Sequence, residues 1–156
     1  MSTSLQMQKR LDKIQGLIDE GYTLEKKFGF PLLKTSEGKS KPVGGFNSPT
    51  GFSWIGFFFP FAVCTQIREW SYFYINGILL TAISLVSLKL NLSSDVYTGS
   101  QVGIGVMYGF YYPYLRYLAN KKDIKEIPIL ISIFLGIILT FLCGLPSAII
   151  DSIAEL

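Results

Sequence analysis

The sequence predicts an all-α integral membrane protein. Three full spans form a bundle, joined by one short aromatic helix that is half inserted or interfacial and preceded by an amphipathic N-terminal helical segment. Two observations carry this reading. Charges crowd into the first fifty residues, and long runs poor in charge follow at 71–88, 99–118 and 127–150. Each run approaches the roughly 20 apolar residues that a helix needs to cross a bilayer. Apolar residues make up 49% of the chain and mean hydropathy is +0.39, values that a soluble core also reaches, so the distribution decides and not the total.

The first 33 residues read as a cytoplasmic amphipathic helical segment. Met7, Leu11, Ile14, Ile18 and Tyr22 recur every three or four positions and share one helix face. Gly21, after Asp19-Glu20, caps a first helix, and a second short helix is expected from Thr23. Such a helix lies on the lipid surface, or it docks on its own protein or a second copy. Leu11, Ile14, Leu17, Asp19-Glu20-Gly21, Leu24, Phe28 and Leu32-Leu33 resemble the short helix-turn-helix oligomerisation modules of bacterial membrane proteins, although Gly29 and Pro31 interrupt the second helix. Residues 34–51, rich in glycine, proline, serine and lysine, read as a flexible basic linker. Gly38-Lys39-Ser40 imitates the end of a phosphate-binding loop, but Leu33 stands where that loop needs glycine.

The membrane domain is assigned to 52–156. Its opening stretch, 52–70, is too short to span and is broken by Pro60. The first span, 71–88, carries Ser71, Asn76, Thr81, Ser84 and Ser87, and Lys89 ends it. In the loop that follows, Asn91-Leu92-Ser93 matches a glycosylation acceptor by chance. The second span, 99–118, contains a Gly105-x-x-x-Gly109 pair that lets another backbone approach, then a tyrosine-rich end suited to a membrane–water interface. The third, 127–150, begins at Pro128 and carries Gly136, Thr140 and Gly144 as a second small-residue stripe. Pro146 is expected to kink or end it. All four glycines are expected to face neighbouring helices.

Several function classes fall away. The chain has no histidine, which removes the usual neutral-pH acid/base group. Cys64 and Cys143 lie in apolar runs without metal-type spacing, and no disulfide between them is expected. The spans hold no acidic residue, which argues against a pump or coupled transporter. A net charge of +3 gives no concentrated basic face for nucleic acid. No enzyme activity, cofactor or metal is expected. Arg68-Glu69 is the nearest approach to a membrane-associated polar site and reads as a boundary pair at the headgroups. The span hydroxyls and tyrosines either line a small polar cavity or bond helix to helix.

Trp54-x-x-Phe57-Phe58-Phe59-Pro60-Phe61, followed by Arg68-Glu69-Trp70, resembles the opening signature of a family of small bacterial multispan membrane proteins of unknown function. Tyr114-Leu115-Arg116-Tyr117-Leu118 and Lys121-Lys122 are similar to that family's tyrosine-rich end and basic cluster. The chain departs from the pattern in lacking glycine before Pro60, in Phe61 and Ala62, and in its last span. The resemblance implies a small multispan membrane protein and brings no reaction with it.

Charge sets the expected topology. Eight basic residues precede Phe52: Lys9, Arg10, Lys13, Lys26, Lys27, Lys34, Lys39 and Lys41. Arg68 follows the aromatic stretch, Lys89 stands alone in the next loop, and Arg116, Lys121, Lys122 and Lys125 cluster in the one after. If 52–70 enters and returns to the same side, thirteen basic residues lie inside and Lys89 alone lies outside, as the positive-inside rule favours. The expectation is a multi-pass protein of the cell inner membrane, N-terminus cytoplasmic and C-terminus outside. Its expected role is an accessory or scaffold subunit that binds another membrane protein or itself, in contact with the lipid bilayer. The alternative is an oligomeric pore or small-solute permeability protein.

Overall fold

The computed structural model describes residues 4–35, 37–38, 40–41, 43, 48–90 and 92–154. Helix α1, Leu5–Asp19, starts at Ser4, whose Oγ accepts the Met7 amide at 3.3 Å. It buries Met7, Leu11 and Ile14 along one stripe. It stops where Gly21 turns left-handed, at φ 95°.

No second helix follows. Strands β1, Tyr22–Lys27, and β2, Phe30–Thr35, form an antiparallel hairpin in register Tyr22↔Thr35 to Lys27↔Phe30, and β3, Ser40–Lys41, pairs with β2. Phe28 and Gly29 both take positive φ, 50° and 89°, which is the twist that a two-residue hairpin loop requires. Pro31 would break a helix at this point, whereas in β2 it is buried along with Leu33, two positions on. The expected helix from Thr23, the helix-turn-helix likeness and the purely α class are therefore corrected. The fold is mostly helical, 71% of the described residues, with a small sheet. Of the expected linker, residues 36, 39, 42 and 44–47 lie outside the described residues, as do Lys39 of the phosphate-loop likeness and Asn91 of the acceptor triplet. The described part docks: Ser48 Oγ lies 2.9 Å from the Val43 carbonyl and 3.3 Å from Tyr114 Oη.

Helices α2, Trp54–Phe58, and α3, Pro60–Gln66, form a V. Along α2 the contacts on the long helix α5, Ser94–Lys121, run backwards, from Ser53 at Gly109 to Phe57 at Gly105. Along α3 they run backwards on α6, Ile129–Ala154: Phe61 meets Gly136, and the Gln66 carbonyl accepts the Ile127 amide just before the helix begins. The chain thus goes in along α5, turns at Phe59-Pro60 and comes back along α6. At 1.5 Å per residue, the Ile127-to-Gly136 stretch makes this excursion about 13 Å deep.

Helix α4, Ser71–Leu90, starts at Glu69, whose carboxylate accepts the Ser71 amide at 3.0 Å. Among the described residues, two helices are long and apolar enough to cross a membrane: Ser71–Leu90, with mean hydropathy 1.7, and Ile129–Ile153, with 2.5. Helix α5 is longer, at 28 residues, but too rich in glycine and polar residues to join them. Helix α6 runs on through Pro146 to Ala154, so of the expected kink or stop the stop is corrected. Proline removes one ladder bond, the ladder resumes beyond it, and Ser147 Oγ donates to the Gly144 carbonyl at 2.8 Å.

Helix α5 is the axis of the molecule. Its buried Tyr108, Tyr112 and Leu115 join Val63, Cys64, Ile67, Tyr72 and Phe73 in one core. A second core, Ile14, Leu33, Val43 and Tyr114, fastens α1 and the hairpin to its C-terminal half.

Candidate functional site

Polar side chains cross the α4–α5 interface at three levels. Ser71 Oγ and Tyr108 Oη share a hydrogen bond of 3.0 Å. Gln101 Nε2 donates to Asn76 Oδ1 at 3.0 Å. Tyr97 Oη donates to Asp151 at 3.1 Å, so its single proton is used, and Ser84 Oγ must donate to Tyr97 at 3.2 Å. Tyr97, Gln101 and Tyr108 are four and seven positions apart and lie on one face of α5. Ser71, Asn76 and Ser84 are almost wholly buried. Of the polar span residues noted in the sequence, Ser71, Asn76, Ser84 and Tyr108 thus bond helix to helix, while Thr81 bonds the Gly77 carbonyl of its own helix.

The aromatic stretch is held by backbone chemistry. Pro113, inside α5, has no N–H, which leaves the Gly109 carbonyl without its helical donor. The Ser53 amide fills that vacancy at 2.7 Å. Gly56 brings α2 against the same place, since a Cβ there would stand 2.8 Å from the Tyr108 carbonyl. Phe52 covers Gly109 and packs edge-on to Trp54 and Phe110, with ring centroids 5.1 and 4.9 Å away. Arg10 Nη2, from α1, donates to the Phe52 carbonyl at 2.6 Å. Partial burial lowers that guanidinium's pKa from its ordinary value, and it stays charged at any physiological pH.

The signature residues separate into two groups. Phe57 packs on Gly105, and Pro60 is buried where α3 begins. Trp54, Phe58, Phe59 and Trp70 turn outward and are exposed. Arg68 is exposed in a left-handed conformation, φ 53°. Glu69 pairs with Lys26 of the hairpin at 2.5 Å and not with Arg68, so the expected Arg68-Glu69 boundary pair is divided.

Of the four packing glycines, Gly105 and Gly109 face the aromatic stretch, and Gly136 faces α3, with a Cβ there 2.8 Å from the Phe61 carbonyl. Gly144 does not face a helix. It has open space and lines an apolar groove of about 400 Å³ with Phe61, Thr140 and Phe141. The α4–α6 contact is made at Gly77, where a Cβ would lie 3.1 Å from the Cys143 carbonyl. Gly77 and Thr81, four apart, carried that signal in the sequence. Gly56 carried none that could be told from its aromatic neighbours.

An ion pair between buried Arg116 and half-buried Glu126 closes the other end. Arg116 Nη2 donates to Glu126 at 2.6 Å and Nη1 to Tyr112 Oη at 2.7 Å, while Gln66 Nε2 reaches the second Glu126 oxygen at 3.4 Å. This ties α5, α3 and the segment before α6 together.

No protein-family model, curated protein or solved structure matches this chain. The aromatic cluster is present, and no family is identified with it. Among the described residues, no group of three or more His, Cys, Asp and Glu could hold a metal ion. Hydroxyls and amides that bond one another clamp helices together.

Proposed function

We propose that this is a small integral protein of a bacterial inner membrane that acts as an accessory or scaffold subunit, binding another membrane protein or a second copy of itself. The observation that carries the reading is the outer face of α5. Gly99 and Gly103 have open space beside them, and Thr98 is exposed on the same stretch. In lipid, exposed small and polar residues favour a second helix over acyl chains, because close backbone contact and hydrogen bonds supply the attraction that hydrophobicity cannot. The rest of the exposed surface of α5 and α6 is largely apolar: Val102, Val106, Leu130, Phe134, Phe141 and Ile153 are all exposed. A surface of this kind suits lipid and is a liability in water.

In this reading α4, α5 and α6 cross the bilayer, and the α2–α3 V enters from the cytoplasmic side and returns. The V reaches less than half of the roughly 30 Å hydrocarbon thickness. Irregular backbone at that depth needs protein cover, and Ser53 on Gly109 supports that requirement. The likeness of the aromatic signature to small bacterial multispan proteins agrees with it.

Cross-linking in native membranes and affinity purification in mild detergent test the role. The scaffold reading expects a co-purifying membrane protein or a homo-oligomer, lost on Gly103→Leu but kept on Gly144→Leu. A strictly monomeric protein with no companion contradicts it. A second reading, an oligomeric pore, draws on the exposure of Thr98, which would line a channel if several copies formed a ring. Purified protein in liposomes separates the two: unchanged ion and solute permeability supports the scaffold, and a leak supports the pore.

A further inference from the structure

The turn of the β1–β2 hairpin is exposed and strained, and it is fixed in place. Phe28 is 81% exposed, at φ 50°. Positive φ is unfavourable for a bulky residue, and hairpin loops of this type favour asparagine or glycine. Burial does not repay the cost, because the ring packs on almost nothing; Lys27 Nζ lies 6.0 Å from its centroid.

The tip does not wave free. Gly29 is buried against the first turn of α4, where a Cβ would stand 2.9 Å from Ser71 Cβ and 3.0 Å from Tyr74 Oη. Lys26 holds Glu69, two residues before that helix, with both carboxylate oxygens within 2.6 Å. The exposed rings of Trp70 and Tyr74 stand at the same place, and Arg68 is exposed just before them. Among the described residues no carboxylate pairs with Lys27 or Arg68. Aromatic rings beside unpaired cations at the start of an apolar helix match the boundary between acyl chains and headgroups.

We infer that the hairpin tip is a membrane-surface anchor: Phe28 inserts at the headgroup boundary beside Trp70, while Lys27 and Arg68 bind the phosphates of anionic phospholipids. The inference rests on the membrane reading above and adds a lipid-binding element to it. The strain at Phe28 then has a return, since an aromatic ring at the tip gains from lipid what asparagine would not. Glu69 neutralises Lys26 and leaves the two outer cations for lipid.

The test uses the full chain with Cys64 and Cys143 replaced by alanine. Phe28→Cys or Phe141→Cys carries an environment-sensitive fluorophore, and the protein is reconstituted in phosphatidylcholine vesicles with or without phosphatidylglycerol. Phe141 is exposed midway along α6 and reports insertion of the protein itself. With phosphatidylglycerol present, the label at position 28 should emit to the blue and be quenched by lipids brominated near the headgroup. Lys27→Ala or Arg68→Ala should each weaken that partitioning about five-fold, as the worth of one basic residue at an anionic surface implies. Added salt should weaken it as well. Quenching at position 141 with none at position 28 overturns the anchor and leaves the membrane reading standing. Quenching at neither position overturns both. Equal quenching at position 28 in both lipid mixtures overturns the role of the two cations.

Discussion

Pro113 and Ser53 show how one missing donor positions a whole segment. The Gly109 carbonyl is available only because Pro113 cannot reach it, and the Ser53 amide takes it at 2.7 Å. Pro113→Ala restores a helical donor, so the Ser53 amide should lose its partner and exchange hydrogen faster, with little change along α6; equal protection in both proteins contradicts this. The glycines permit a sharper comparison. At Gly136 a side chain meets the backbone of Phe61, which cannot yield, whereas at Gly144 it meets open space. Gly136→Leu should cost about 2 kcal/mol or more as an overpacked contact, while Gly144→Leu should unfold in detergent as the parent does. Glu126 is the third case. Glu126→Ala strands the buried Arg116, whose Nε already lacks a partner among the described residues. Leaving the buried guanidinium without its partner costs about 3 kcal/mol. Arg116→Met combined with Glu126→Leu should recover most of it, and a double variant as unstable as the single one contradicts the stranded-charge account.

The elements were legible in the sequence where one period dominated. Met7, Leu11 and Ile14 on a helical face gave α1, and long runs of uncharged residues gave α4 and α6. The hairpin was not legible, because Tyr22, Leu24, Phe28, Leu32 and Leu33 fit a helical spacing as well as an alternating one. What decided was turn chemistry: Phe28 stands where a hairpin loop usually has asparagine, so the marker was absent. Phe28→Asn should therefore raise the hairpin's protection against hydrogen exchange while abolishing the lipid contact inferred for it. The polar residues of the seam were all visible, but their partners were not, since pairing Asn76 with Gln101 depends on how two helices cross. The glycines fared unevenly for the same reason. Spacing marked Gly105, Gly109, Gly136 and Gly144 alike, and only packing separates the last from the others.

The whole molecule is polarised from end to end. Helix α1, the hairpin, Arg68, Arg116 and Lys121 gather at one end, joined by Arg10 to the Phe52 carbonyl, Lys26 to Glu69, and Tyr117 to Gln15. The other end holds Lys89 as its basic residue among the described residues, with Asp95 a few positions on and Asp151 bonded to Tyr97. That asymmetry supports the proposed arrangement of a cytoplasmic N-terminus, three crossings and a V that returns to its own side. Accessibility in intact cells tests it most directly. Single cysteines are introduced at Ser40, Ser94, Asn120 and Ser152, all exposed, in a variant lacking Cys64 and Cys143, and the cells are treated with an impermeant thiol reagent. Labelling of Ser94→Cys and Ser152→Cys, with Ser40→Cys and Asn120→Cys protected until the cells are opened, is the predicted result; labelling of Asn120→Cys with protection of Ser94→Cys would contradict it.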